Sequence, residues 1–294
     1  MDVLQRIERA LESAITKGIG DNAPPGLKAA VRHAVLTPGS RARPRLCLAV
    51  ALACGEDVPE VSDAAAASIE LLHCASLVHD DMPCFDDADT RRGQPTVHRA
   101  FGERLAVLAG DGLIVLAFEN LAWHTLRYPE RLAPLLLIIG RSVGMQDGIV
   151  AGQAWECETE VDLSEYHRMK TAALFAAATE AGAAAAGHEP AAWRQLGASL
   201  GEAYQVADDI RDSAGRAEEL GKPVGQDAAH DRPSATTRLG LDGAMDRLVE
   251  LIRGAVDSIP ECPGRDQLRA LVLGEIQRLL PGDLSARFAA RIKG

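Results

Sequence analysis

Two acidic clusters contain the residues of this chain that could perform chemistry. In the first, "HDDMPCFDDADTRRG", Asp80, Asp81 and Asp86 lie within seven positions. In the second, "AYQVADDIRDS", Asp208 and Asp212 are four residues apart, which places both on one face of a helix. Carboxylates stacked at this spacing repel each other unless a cation lies between them, and oxygen-only clusters suit Mg²⁺. The pattern predicts a magnesium site that receives a substrate phosphate.

Fixed positive charge follows the first cluster directly. Arg91 and Arg92 can each bind phosphate oxygens with two parallel hydrogen bonds, so the carboxylates and the arginines together suit a diphosphate. The alternative is a solvated acidic surface with ordinary helix ends. Two such clusters, each after an apolar helical segment, favour the metal site.

The geometry of the first cluster depends on Pro83. The apolar run before Asp80 predicts a helix that ends there, and on an ideal helix Asp86 would point roughly 240° away from Asp80. Pro83 has no N–H for the His79 carbonyl and clashes with that turn, so the helix must kink or break. The bend would allow both carboxylates to face one cavity.

Helices must position these residues, because strand patterns are almost absent from the sequence. Alanine- and leucine-rich segments with helical spacing are separated by short breaks such as "NAPPG" and "ECPG". Several segments are apolar on all sides, which is typical of helices buried in a large bundle. The predicted helices cover 2–17, 26–36, 43–54, 60–81, 101–126, 130–150, 164–187, 190–214, 237–258 and 265–280. We therefore expect an all-α fold with a single domain over residues 1–294.

Composition excludes several classes of protein. Hydrophobic residues make up 47% of the 294 residues, which supports a packed globular chain. The net charge of −11 argues against a nucleic-acid-binding protein and against one held on anionic lipid. The six cysteines form no C-x-x-C pair, so we expect reduced thiols in a cytoplasmic protein.

We expect no membrane segment. The first residues, "MDVLQRIERALESAI", mix acids and bases on an amphipathic pattern, unlike a signal peptide. The longest apolar run, "LAVLAGDGLIVLAFENLA", is interrupted by Asp111 and Glu119. We expect no run to be long enough to span a bilayer and interpret this one as a buried helix.

The motifs resemble those of the trans-prenyltransferases, the polyprenyl synthetase family that makes farnesyl and geranylgeranyl diphosphate. "DDMPCFD", followed by "RRGQPTVH", looks like the first aspartate-rich motif of that family in its longer form, and "DDIRD" resembles the second. Further motifs occur in the family's order: Gly152-Gln153, Lys170-Thr171, Tyr204-Gln205 and Gly221-Lys222. The resemblance runs through nearly the whole chain.

The resemblance implies a fold, a set of ligands and residue roles. The fold would be a single bundle of about ten or more helices around a central cavity, of the isoprenoid synthase type, acting as a homodimer. Several Mg²⁺ ions, three per active site, would be held by Asp80, Asp81, Asp86, Asp208 and Asp212. These five aspartates and Lys170 would be catalytic. The allylic diphosphate would contact Arg91, Lys170, Thr171, Gln205 and Lys222. Isopentenyl diphosphate would contact Arg43, His73 and Arg92.

The implied reaction joins isopentenyl diphosphate to an allylic diphosphate, and the side chains before Asp80 would limit product length. Ala75 stands where the farnesyl-forming relatives commonly have an aromatic residue, and Ser76 beside it is also small. An open pocket implies the C20 product, geranylgeranyl diphosphate. Alternatively, Ala75 is small only for helix packing, and a residue near Phe118 closes the pocket.

Three positions depart from the family pattern. In "PGSRARP", Ser40 replaces a lysine that binds isopentenyl diphosphate, and neighbouring Arg41 could compensate. Arg211 replaces an aliphatic residue in "DDIRD", and Arg232 replaces a lysine. The alternatives are a farnesyl diphosphate synthase and a catalytically weak regulatory partner of another synthase. A terpene cyclase is disfavoured by the second "DD..D" motif.

Overall fold

The structure, a computed structural model, describes residues 2–158, 168–214 and 235–293. Within these ranges the regular structure is helical except for one short hairpin, so the predicted all-α class is confirmed. The helices before residue 158 are α1 (Val3–Ile19), α2 (Pro25–Leu36), α3 (Ala42–Ala53), α4 (Pro59–Asp80), α5 (Val97–Phe101), α6 (Glu103–Thr125), α7 (Pro129–Val143) and α8 (Ile149–Trp155).

The second half begins with a π-helical turn, Arg168–Ala172, which continues into α9 (Ala173–Ala185). A short 3₁₀ turn leads into α10, and three more helices end the described chain. Their bounds are Ala191–Trp193 for the 3₁₀ turn, Arg194–Ala214 for α10, Ala235–Asp257 for α11, Arg265–Leu279 for α12 and Gly282–Lys293 for α13. Non-helical backbone at Gly240 interrupts α11.

Most predicted helices lie within a few residues of the observed ones, and two predictions were wrong. Residues 164–167 of the helix expected over 164–187 lie outside the described residues. The helix expected over 130–150 ends at Val143, and a separate helix α8 follows. Helix α13 was not among the predicted helices, the last of which ends at residue 280. It forms because Leu284 and Phe288, four residues apart, bury one face against the bundle.

Helix α4 is the central element of the first half and carries the first acidic cluster at its end. Pro59 occupies its first turn, where a missing N–H costs nothing. The helix packs against α1, α2, α3, α6 and α9, so apolar side chains are buried on several sides. Gly110 of α6 has no side chain where the His79 ring packs, which allows a close approach of the two helices.

Two helices have the length and composition of a membrane span, contrary to our expectation from the sequence. In α4, 78% of the apolar window is buried, so these side chains form the protein core. In α6 only 44% is buried, and Val107, Leu108 and Val115 are exposed. Asp111 and Glu119 are also exposed on α6. Helices α4 and α6 are the two of that kind within residues 2–158, 168–214 and 235–293.

The hairpin connects the first acidic cluster to the arginines. Strand β1 (Thr90–Arg91) pairs antiparallel with β2 (Gln94–Pro95). The two residues between them, Arg92 and Gly93, have φ angles of 54° and 75°, as a tight hairpin turn of this hand requires. The turn therefore fixes the direction in which the chain presents Arg92.

One hydrophobic core extends from the first helix to the last. It includes Leu11 of α1, Leu71 of α4, Leu196 of α10 and Phe288 of α13. Helix α10, which carries the second acidic cluster, packs against α9, α11 and α12. The core thus joins the elements that carry the two clusters.

Candidate active site

Helix α4 ends at Asp80, as predicted, and the chain then folds back on itself. Met82 donates its N–H to the His79 carbonyl at 3.1 Å, which supplies the hydrogen bond that Pro83 could not make. The N–H of Asp86 donates to the Asp80 carbonyl at 3.0 Å. The backbones of Asp80 and Asp86 are therefore adjacent, and the prediction that both carboxylates face one cavity stays a prediction.

Asp81 is paired with Arg91 of the hairpin. Arg91 Nε donates to both carboxylate oxygens at 2.8 and 2.9 Å, and its Nη2 donates to Oδ1 at 2.6 Å. Burial raises the pKa of the Asp81 carboxyl, while the Arg91 guanidinium opposes this rise. The structure thus assigns the Asp81 carboxylate to Arg91, and a metal contact by Asp81 stays a prediction.

Asp80 belongs to a network of four side chains. Its Oδ1 accepts hydrogen bonds from Gln153 Nε2 at 2.6 Å and from Lys170 Nζ at 3.2 Å. Both donors also bind Glu156, with Lys170 Nζ 2.6 Å from Oε1 and Gln153 Nε2 3.2 Å from Oε2. Two carboxylates thus share the lysine and the amide.

The sequence analysis did not select Glu156. A signal was present, because Glu156 follows Gln153 by three residues and continues the helical backbone directly after α8, which places both side chains on the same side. Sequence proximity gave no indication of the ion pair, since Lys170 is fourteen residues away from Glu156.

Lys170 and Thr171 lie in the π-helical turn at the start of α9. Such turns are rare and occur often at functional sites. The turn lies close to α8, because a side chain on Gly152 would come within 2.6 Å of the Lys170 backbone nitrogen. Gly152 is thus required for the approach that lets Lys170 reach Asp80.

A second group of side chains contains the Arg43 guanidinium and the His73 ring. Arg43 Nη1 lies 3.3 Å from His73 Nε2 and its guanidinium lies 4.5 Å from the centre of the Phe175 ring. Burial and the charges of Arg43 and Arg92 hold the pKa of His73 well below its usual value. A guanidinium only donates, so His73 Nε2 accepts and the neutral ring carries its proton on Nδ1.

Arg92 joins this group. A side chain on Gly39 would lie 2.5 Å from Arg92 Nη1, so the guanidinium packs directly against the Gly39 backbone. Its charge also acts on both Arg43 and His73. The three residues that the family resemblance assigns to isopentenyl diphosphate are thus brought together.

Arg41 does not belong to that group, and the expectation that it compensates for Ser40 was wrong. Its side chain is 1% exposed and binds Glu8 at 2.8 Å, Glu70 at 2.7 Å and the Val35 carbonyl at 2.7 Å. Ser40 itself is exposed. Arg41 therefore belongs to a buried ion-pair network. At position 40 the chain presents an exposed hydroxyl in place of the lysine of the family pattern.

The three aspartates of the second cluster have different surroundings. Asp209 accepts hydrogen bonds from Gln205 Nε2 at 3.0 Å and from the Ala235 N–H at 2.6 Å, which anchors the start of α11. Asp208 pairs with Arg211 Nη2 at 2.7 Å. Asp212 is buried. Asp209 thus has a structural role that the sequence did not reveal.

The two clusters are connected through the π-helical turn. A side chain on Gly201 of α10 would lie 2.6 Å from the Ala172 Cα, so the turn that carries Lys170 packs closely on the helix that carries Asp208. The charge of Asp208 also acts on Arg43. Residues from α3, α4, α10 and the turn therefore share one electrostatic environment.

The remaining predicted residues have different outcomes. Ala75 is 1% exposed, and the Ser76 hydroxyl donates to the His73 carbonyl at 2.8 Å. Phe118 is half-buried and packs against the core. Lys222, and with it Arg232, lies outside the described residues.

The donor chemistry of the two clusters fits Mg²⁺. Asp80 and Asp86 meet at the end of α4, Asp208 and Asp212 lie one turn apart on α10, and all their ligand atoms are oxygens. In the described ranges, no three His, Cys, Asp or Glu side chains already converge in a metal-binding geometry. Cations instead contact Asp80, Asp81 and Asp208.

Comparison with known proteins identifies the family. The polyprenyl synthetase family model matches residues 24–261. The chain belongs to the polyprenyl synthetase family. This confirms the resemblance on which the residue roles were predicted.

Individual polyprenyl synthetases match nearly the full chain. The geranylgeranyl diphosphate synthase of Cereibacter sphaeroides is 53% identical over 283 residues, which are 96% of this chain and 98% of that protein. The synthase of the same name from Rhodobacter capsulatus is 49% identical over 272 residues, or 92% and 94% of the two chains.

A solved structure also supports the isoprenoid synthase fold. The geranyltransferase from Helicobacter pylori, complexed with magnesium and isoprenyl diphosphate, superimposes with a TM-score of 0.80. It is 30% identical and covers 94% of this chain and 96% of its own. The predicted fold type and the predicted prenyltransferase class are confirmed.

Proposed function

We propose that this polyprenyl synthetase is a geranylgeranyl diphosphate synthase. It joins isopentenyl diphosphate to an allylic diphosphate in a Mg²⁺-dependent reaction and extends the chain to C20. The observation that carries the proposal is the 53% identity, across 96% of the chain, to a protein of that name. The site supports it, because carboxylates and arginines suited to two diphosphates occur together.

The metal would be held by Asp80, Asp81 and Asp86 at the end of α4 and by Asp208 and Asp212 on α10. Asp81 also orients the Arg91 guanidinium with three hydrogen bonds. When bound, Mg²⁺ stabilises the charge that develops on the departing diphosphate. The number of ions, three per site, is part of the proposal.

Lys170 would bind the allylic diphosphate. In the structure its ammonium is shared by Asp80 and Glu156, and these contacts hold it beside the first cluster. Together with Arg91, Lys170 would place positive charge on the diphosphate when the allylic C–O bond breaks. Thr171, Gln205 and Lys222 complete the proposed allylic site.

Arg43, His73 and Arg92 would bind isopentenyl diphosphate. The neutral His73 ring accepts from Arg43 through Nε2, so its Nδ1–H remains a donor and the guanidinium is held in place. The substrate double bond then attacks the allylic carbon, a C–C bond forms, and a proton is lost to the released diphosphate. None of these steps requires a side-chain nucleophile.

Product length would be limited by the residues before Asp80. A prenyl tail whose diphosphate lies at the end of α4 runs back along that helix, where one turn of about 5.4 Å is comparable to one isoprene unit. Ala75 and Ser76 are both small at the turn that the tail would pass. This supports the C20 product over farnesyl diphosphate.

The assembly and location of the protein are also proposed. Exposed Val107, Leu108 and Val115 on α6 support a homodimer that covers this face. The core shared by α1 and α13 supports one domain over residues 1–294. All six cysteines are free, which supports a reducing cytoplasmic location.

One assay tests the function. The purified chain is incubated with Mg²⁺, isopentenyl diphosphate and each allylic diphosphate in turn, and the products are sized by chromatography. Linear C20 diphosphate from the chain alone is the expected result. A C15 end product would indicate a farnesyl diphosphate synthase. Activity that appears only after a second synthase is added would identify a regulatory partner.

A further inference from the structure

The second acidic cluster contains a cation of its own. Arg211 lies three residues after Asp208 on α10, and its Nη2 is 2.7 Å from Asp208 Oδ1. Residues three and four positions apart are neighbours on a helix surface, so both Arg211 and Asp212 lie next to Asp208. Asp208 and Asp212 are the carboxylates proposed above as the metal ligands of this helix.

Arg211 is held by this contact in a partly enclosed position. Its side chain is 29% exposed, and its Nε is buried without an acceptor among the described residues. Asp208 is 49% exposed, so its carboxylate can also be reached from solvent. The other aspartate nearby, Asp209, is engaged by Gln205 and by the Ala235 N–H.

We propose that Arg211 is a positioning residue that holds Asp208 and lowers the affinity of the second cluster for a divalent cation. A cation that binds Asp208 must displace the guanidinium from Oδ1 or remain beside it, and either arrangement weakens metal binding. The inference rests on the proposed metal site and adds a role for a residue outside that ligand set.

Direct metal binding tests the inference. Mn²⁺, used alone as the probe, is titrated into the protein without substrate, and the free ion is followed by electron paramagnetic resonance. Arg211→Leu is expected to bind Mn²⁺ about fivefold more tightly at the second cluster, the upper end of what an exposed ion pair contributes. Arg211→Lys retains the charge and should stay close to the wild type.

The Mg²⁺ concentration at half-maximal rate is the second measurement, and it should fall in Arg211→Leu. A purely structural role would give the opposite result, because damage to α10 weakens metal binding. Unchanged or weaker Mn²⁺ binding in Arg211→Leu would overturn the inference, as would Arg211→Lys behaving like the leucine variant.

Two further variants separate this inference from the proposed site and from bulk charge. Arg247→Leu removes an arginine that pairs with Glu202 of the same helix at 2.6 Å, and it should leave Mn²⁺ binding unchanged. Asp208→Asn should weaken Mn²⁺ binding. If Asp208→Asn binds normally, the proposed metal site is wrong at this position. If only the Arg211 result fails, the site stands and the role of Arg211 is wrong.

Discussion

Arg41 and Glu70 form a buried ion pair, with 2.7 Å between Nη1 and Oε1 and no more than 1% of either side chain exposed. Glu8 and the Val35 carbonyl accept the remaining hydrogen bonds of the guanidinium. The pair lies beside the proposed isopentenyl diphosphate site, because the charges of Glu70 and Arg41 act on Arg43 and His73 respectively. Arg41 is therefore not available to a substrate.

Position 40 should respond to an added charge. Because Arg41 is engaged, Ser40→Lys is expected to lower KM for isopentenyl diphosphate roughly tenfold, the effect of one charge-assisted hydrogen bond of about 1.5 kcal/mol. Steady-state kinetics at saturating allylic substrate measure this. Ser40→Gln adds length without charge and should not reproduce the gain. An unchanged KM in the lysine variant would mean that another residue already fills this role.

Loss of Arg41 should destabilise the protein. Arg41→Ala leaves Glu70 buried without its cation, which is expected to cost about 3–5 kcal/mol of unfolding free energy. Urea denaturation followed by circular dichroism measures the change, and adding Glu70→Gln should restore part of it. Arg32→Ala removes an exposed ion pair with Glu12 and should have little effect. Equal losses in the two arginine variants would contradict the structural role of Arg41.

Removal of a proposed metal ligand should abolish turnover and leave the fold intact. Asp80→Ala and Asp208→Ala are expected to lower kcat by orders of magnitude, because each deletes a charged ligand and no core packing. Asp89→Ala is the control, since the Asp89 side chain is exposed and forms a surface ion pair with Arg99. EDTA should stop the reaction and excess Mg²⁺ should restart it. Near-native rates in either alanine variant would refute the two-cluster site.

His73 should contribute to the acid sensitivity of the fold. Its pKa is depressed in the folded protein, so below about pH 6.5 the unfolded chain binds a proton that the folded protein does not. Stability is therefore lost as the pH falls from that value toward the lower folded pKa. His73→Asn should flatten the dependence of unfolding free energy on pH by at most about 1.4 kcal/mol per pH unit. Denaturation midpoints between pH 5 and 7.5 test this, with exposed His188→Asn as the matched control. An unaltered slope in the His73 variant would argue against a buried neutral ring.

Ala75 should control product length. Ala75→Tyr is expected to shift the main product to farnesyl diphosphate, because the larger side chain blocks the path of the tail. Ala75 is 1% exposed, so the substitution also carries an overpacking cost of about 1–3 kcal/mol, and thermal stability must be measured alongside product length. Ala75→Val is the milder variant and should give a mixture. Retention of C20 by a folded tyrosine variant would place the limit elsewhere, for example near Phe118.

Features that depend on neighbouring residues could be predicted from the amino-acid sequence. Helical periodicity and Pro/Gly breaks located most helices, because both act through backbone hydrogen bonds a few residues apart. Pro83 predicted the end of α4, and the structure brings Asp80 and Asp86 together by one backbone hydrogen bond. Spacing alone placed Asp208 and Asp212 on one face. The motifs sufficed for the family and its prenyltransferase chemistry.

Which charges meet depends on the packing of helices that are distant in the sequence. Glu8 and Glu70 reach Arg41 from positions 33 and 29 residues away, and Lys170 reaches Asp80 across 90 residues. The local sequence does not distinguish an arginine that forms a buried ion pair from one that binds a substrate, since both are flexible cations beside the start of a helix. What separates Arg41 from Arg43 is the packing of α1, α3 and α4 around them, which buries one guanidinium among carboxylates and leaves the other beside a neutral histidine.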